Sequence, residues 1–238
     1  MPENMRIWIE VLFNITYLAV VWGLVTAMLR RQNLLTEDDR PTGRRVMLAF
    51  ALLALGDSGH VGFRVVAYWF GGLEAHPLLV GLGALSTAYT VTVFYMLLLD
   101  AWRVRFRKQA GWFAWVLIAA GIARLVVMAF PQNEWGMLVA PYTWSLLRNA
   151  FLVVQGLGVM FLILKDAFQT GDTTFQWIGW MIALSYTFYA PVILWSAQVP
   201  LLGMLMIPKT CAYVAIAFLA YRSLFFKQSI QAIAVHPT

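Results

Sequence analysis

The stretch "VMLAFALLALGDSGHVGFRVVAYW" (residues 46–69) decides how the chain is read. Its length and apolar content fit a helix crossing a bilayer, which needs about 20 predominantly apolar residues. Yet it carries Asp57, His60 and Arg64 in its second half. Their i, i+3, i+7 spacing puts all three on one helix face. A greasy helix with one polar stripe must turn that stripe toward partners inside a bundle, because a charge facing lipid is costly.

Similar apolar runs recur along all 238 residues, and the reading extends to spans near 8–30, 46–69, 78–100, 111–130, 143–164, 175–197 and 201–224. The composition agrees: 61% of residues are hydrophobic and 12% charged, about half the charge of a soluble domain. The fold expected is all-α, one seven-helix transmembrane domain over 1–238, with no room for a soluble domain. The opening "MPENMRIWIE" lacks the basic segment of a cleaved signal peptide, so none is expected. A single cysteine, Cys211, excludes an intrachain disulfide.

Basic residues alternate between connections. Arg30, Arg31, Arg40, Arg44 and Arg45 follow the first span, and Arg103, Arg105, Arg107 and Lys108 the third. Lys165 follows the fifth, and Arg222 and Lys227 close the seventh. The opposite side holds Arg6, with Glu74 and Glu134 in its loops. The positive-inside rule then places the N-terminus outside and the C-terminus in the cytoplasm of a cell-membrane protein. Net charge of +6 reports orientation in this pattern, and no nucleic-acid partner is expected. Asp100, beside the basic loop, reads as an interfacial residue paired there. Trp8, Trp69, Trp102, Trp112, Trp135, Trp144 and Trp195 fall near span ends and read as aromatic belts.

Four cations remain inside spans: Arg64, Arg124, Arg148 and Lys209. With this topology and a rise of 1.5 Å per residue, all four lie roughly 7–12 Å below the outer boundary. They come from four helices and share one layer. Asn149, Tyr189 and Thr210 fall at nearby depths and offer hydrogen bonds. Asp57 is the clear carboxylate of the layer, and Glu10 a second candidate, so cations exceed acids. Pro191 and Pro208 lie in the same half of spans 6 and 7, where they free backbone carbonyls and can kink a helix.

The leading expectation is a cationic pocket in the outer half of the bundle, formed by Asp57, His60, Arg64, Arg124, Arg148, Asn149, Tyr189, Lys209 and Thr210. It would bind an anionic small molecule or a lipid headgroup, as transporter or receptor. The competing bland readings are arginines snorkelling to headgroups and an Asp57–Lys209 ion pair fixing the bundle.

Two other functions fit parts of the pattern. Seven spans, an outside N-terminus and a span-7 lysine resemble the layout of rhodopsins, and "FYAPVILW" (188–195) resembles the aromatic-proline run of their sixth helix. That resemblance implies retinal on Lys209, with Asp57 as counterion because the middle of span 3 offers only Ser, Thr and Tyr. An intramembrane lipid-modifying enzyme would use Asp57 and His60 as an acid–base pair. Ser58 stands two residues from His60, on the opposite helix face, and cannot form a local dyad with it. No metal is expected, since His76 lies in a loop and His236 in the tail.

"GLG" at 81–83 and 156–158 reads as close helix packing. The blocks "GDSGHVGFR" (56–64), "FPQNEW" (130–135) and "GMLMIPKTCAY" (203–213) resemble those of an uncharacterised family of bacterial seven-helix membrane proteins. The resemblance implies a common architecture and no particular activity. The bilayer is the certain partner on this reading, and self-association is left open.

Overall fold

The computed structural model describes residues 3–196 and 198–226, without the side chains of 3–8, 10 and 200. Glu10, considered above as a second acid, and Lys227 therefore lie outside what is described. Seven long helices follow one another: α1 (Glu3–Arg31), α2 (Arg40–Trp69), α3 (Pro77–Arg105), α4 (Trp112–Ala129), α5 (Tyr142–Thr170), α6 (Thr173–Trp195) and α7 (Met206–Ala220). No strand occurs among the described residues. Seven segments are long and apolar enough to cross a membrane, the arrangement of a multi-pass integral membrane protein.

Each helix packs against the next, and α1 closes on α7. The α2–α3 contact is the most extensive, and α3 also touches α4 and α5. Glycines permit this closeness. A Cβ on Gly56 would come within 1.8 Å of Thr90 Oγ1, and one on Gly81 would strike the backbone of Trp135. Large apolar side chains, among them Leu12, Leu55, Ile122, Val126, Phe161 and Trp180, point outward around the bundle, as lipid solvation requires. Phe94 joins three helices at the centre, with ring centroids 5.2 Å from Phe50 and 5.5 Å from Tyr213.

Helix ends differ from the sequence expectation where polar residues continue a helix beyond the apolar run. α2 begins at Arg40 with proline in its first turn, where a missing N–H costs nothing. α5 runs on through Lys165 and Asp166 to a left-handed Gly171. Span 7 opens as a 3-10 helix (Pro200–Leu205). Pro208 consequently falls in the first turn of α7 rather than in a helix interior, and it breaks no helical bond. Pro191 does lie inside α6.

The connections α1–α2, α3–α4 and α5–α6 share one end, hereafter the basic end. Arg105 bridges Asp39 and Asp172, the latter at 2.8 Å. Arg45 and Arg103 both hold Asp100, and Lys108 reaches the buried Asp166 at 3.0 Å. The pairing of Asp100 is as the sequence suggests. Trp102 departs from the belt reading: it is buried, and its indole N–H donates to Asp166 at 2.9 Å. Trp69, Trp112 and Trp195 are exposed, as belt residues should be.

Candidate functional site

The site builds outward from Arg124 on α4. Its side chain is 2% exposed, so it does not snorkel. Nε donates to the Arg148 carbonyl at 2.9 Å, and Nη1 to the Ala88 carbonyl at 2.9 Å and to the Thr92 hydroxyl. All three acceptors are neutral. Nη2 has no acceptor among the described residues, and no carboxylate pairs with the guanidinium. Gln155, fully buried, donates to the Thr92 carbonyl at 3.3 Å, while its Oε1 has no donor.

Arg148 stands nearly two turns into α5 and half-buried. Its guanidinium lies 4.5 Å from the centre of the Trp135 ring, and Nη1 donates to Asn133 Oδ1 at 3.1 Å. Asn133 is itself buried and donates to the carbonyls of Val127 and Phe130, closing the C-terminal end of α4. Trp135 donates to the Met128 carbonyl at 3.1 Å. The short "FPQNEW" loop thus folds back as a cap and becomes a wall of the site. From the sequence Trp135 read as an aromatic-belt residue and Asn133 had no role of its own; here both stand beside Arg148. The available signal was an asparagine just past a helix end, a position where amide side chains meet orphan carbonyls.

Lys209 sits half-buried on α7. Its Nζ lies 4.2 Å from the centre of the Tyr189 ring and 5.7 Å from that of Tyr213. It makes no hydrogen bond and no ion pair among the described residues. The charges acting on it are Asp57, attractive, and Arg124, repulsive. The Tyr189 hydroxyl donates to Asn149 Oδ1 at 2.9 Å, so this ring bridges Lys209 to the residue after Arg148. Tyr213 and Tyr95 share a 2.7 Å hydroxyl contact, and Tyr186 donates to the Leu152 carbonyl at 2.8 Å. Gly156 leaves the room for that tyrosine, since a Cβ there would meet its hydroxyl at 1.8 Å.

Asp57 accepts from Tyr17 of α1 at 2.6 Å and from Thr87 of α3. Both carboxylate oxygens are thereby engaged by neutral hydroxyls. Asp57 is neither ion-paired with Lys209 nor hydrogen-bonded to His60. Ser58 faces elsewhere, donating to the Ala54 carbonyl and accepting from Trp22 at 2.9 Å. His60 and Arg64 follow on the same α2 face, half-buried. No described contact joins Arg64 to Arg124, Arg148 or Lys209, and Thr210 forms no described hydrogen bond. Tyr17, Thr87, Thr92 and Tyr95 complete the layer without having been singled out in the sequence. A lone Thr or Tyr in an apolar span carries no distinguishing pattern.

Arg124 is thus tied to the Arg148 backbone, and Lys209 reaches the neighbouring Asn149 through Tyr189. The chemistry on offer is a set of N–H donors and positive charge in a low-dielectric layer, where an unscreened charge acts strongly. The groove that the surface opens most clearly lies elsewhere, at the basic end, between Arg105, Arg107, Thr170 and Asp172.

Comparison with known protein families, with curated proteins and with solved structures gives no match. The likeness to a bacterial seven-helix family rests on the quoted sequence blocks, and what the chain is shown to be is an all-helical bundle with seven membrane-length helices.

Proposed function

We propose that this is a cell-membrane protein with its basic end in the cytoplasm, which binds an anionic small molecule or lipid headgroup within its polar layer, as a transporter or receptor. The carrying observation is Arg124: buried, bonded only to neutral oxygens, and adjacent to Arg148 and Lys209, none of which is ion-paired among the described residues. Intramembrane ionisable groups normally pair with one another. A cluster in which cations outnumber acids is favourable when an anion supplies the missing charge. Thermal denaturation of purified protein across a panel of anions tests the reading. At least one anion should raise the midpoint of the wild type, and the shift should vanish in Arg148→Ala and Lys209→Ala. Equal shifts in all three proteins would reject it.

A second reading is supported by the seat of Lys209 between two tyrosine rings, with Asp57 as the attractive charge acting on it. An amine so placed suits an imine with an aldehyde such as retinal. Adding all-trans retinal and recording the visible spectrum distinguishes the two, since only imine formation gives a new band. The lipid-modifying reading loses its acid–base pair, because Asp57 bonds to Tyr17 and Thr87 instead of His60.

A further inference from the structure

We infer that the anion is a tetrahedral dianion, a phosphate-type group presented either free or as a phosphomonoester headgroup. This rests on the anion-binding reading and narrows it.

The charge of the layer sets the valence. Arg124, Arg148 and Lys209 contribute three positive charges to one region, and Asp57 is the acid that acts on Lys209. A monoanion would leave the assembled cluster positive. A dianion neutralises it.

The hydrogen-bonding inventory sets the chemistry. Arg124 Nη2, Arg148 Nε and Nη2, Lys209 Nζ and Asn149 Nδ2 have no acceptor among the described residues, whereas the Asn149 carbonyl is taken by Tyr189. Against these five open donors stands one open buried amide acceptor among the described residues, Gln155 Oε1. A ligand that fits must be nearly all acceptor and carry several oxygens, because guanidinium groups recognise oxyanions through directional N–H bonds. Chloride offers no directional lone pairs, and a carboxylate has only two oxygens. Phosphate offers acceptors in several directions at once.

The spacing sets the size. Arg124 holds the backbone carbonyl of Arg148, so these two cations belong to adjoining backbones. Tyr189 spans from Asn149 at its hydroxyl to Lys209 over its ring face. Asn149 of α5 and Lys209 of α7 thus meet the two ends of one tyrosine side chain, and Arg124 of α4 is the cation that acts on Lys209. A single-centre dianion suits donors gathered around one side chain, while a long dicarboxylate would carry its charges past them.

Isothermal titration of the protein in phosphatidylcholine nanodiscs, at constant ionic strength, tests this with inorganic phosphate, sulfate, chloride, acetate and succinate. Phosphate or sulfate should bind at least tenfold more tightly than the other three, and Arg148→Ala and Lys209→Ala should each weaken that binding at least tenfold. Lys209→Arg, which keeps the charge, should restore most of it. A parallel arm replaces the free ion with vesicles containing phosphatidic acid or, as control, phosphatidylglycerol. Preference for phosphatidic acid without binding of free phosphate identifies a headgroup source and supports the same chemistry. Equal affinity for chloride, acetate and phosphate would overturn the dianion while leaving anion binding intact. Binding of no ion and no phosphatidic acid, with all variants folded by circular dichroism, would overturn both.

Discussion

The basic end and the polar layer hold their cations under opposite arrangements. At the basic end Arg45 and Arg103 share Asp100, Arg105 holds Asp39 and Asp172, Arg107 meets Asp38, and Lys108 meets Asp166. Each of these links ties α3, or the loop that follows it, to another segment or to its own last turns. In the layer, Arg124, Arg148 and Lys209 meet carbonyls, hydroxyls and aromatic faces, and no acid. Water reaches the basic end and would forgive unpaired charges there; the membrane would not. Acids thus pair five cations where pairing matters least, and none of these three where it would stabilise most. A protein that needed only a stable bundle would be expected to do the reverse.

Substitutions should separate the two regions. The largest effect is expected from Asp166→Ala, which strips a buried carboxylate from both Trp102 and Lys108 and should cost about 3 kcal/mol of stability. Arg105→Ala comes next, at about 1–2 kcal/mol, because it is partly exposed and loses two carboxylate contacts. In the layer the outcome should differ. Arg148→Leu and Lys209→Met lose aromatic contacts worth about 0.5–2 kcal/mol, yet each also relieves repulsion from Arg124. In anion-free buffer these two should stay within about 1 kcal/mol of wild type, a balance of contact energies of that order, while losing all stabilisation by added anion. Arg107→Ala should be smallest, within about 0.5 kcal/mol, since its pair with Asp38 is more than four-fifths exposed. Denaturation curves of the five variants, with and without phosphate, check this order. Layer variants as unstable as Asp166→Ala would mean that the layer is a structural network.

Much of the architecture was legible because it rests on composition and periodicity. Seven apolar runs became seven helices, and the glycine pairs became close contacts, at Gly81 and Gly156 among others. The depth count placed Arg124, Arg148 and Lys209 in one layer, and Arg124 does reach the Arg148 backbone and act on Lys209. Their partners were less visible. Depth fixes how far a residue lies along the bundle but not its angle around it, so Arg64 shares the layer without a described contact to the trio. Asn133 was hidden because a loop folding back leaves no periodic trace, and Trp135 read as a belt residue from its place near a span end. Trp102 was misplaced because an indole near a span end reads as interfacial until a buried acceptor such as Asp166 appears beside it. Pro208 was misjudged because a 3-10 turn before α7 moved it from a helix interior to a first turn.

An anion held between α4, α5 and α7 would show directly in an anomalous difference map from crystals soaked in selenate, a heavy analogue of sulfate and phosphate. A selenium peak is expected within hydrogen-bonding distance of Arg124 Nη2 and Lys209 Nζ, absent in Lys209→Ala. A layer without a peak, with Lys209 turned into a direct ion pair with Asp57, would contradict it.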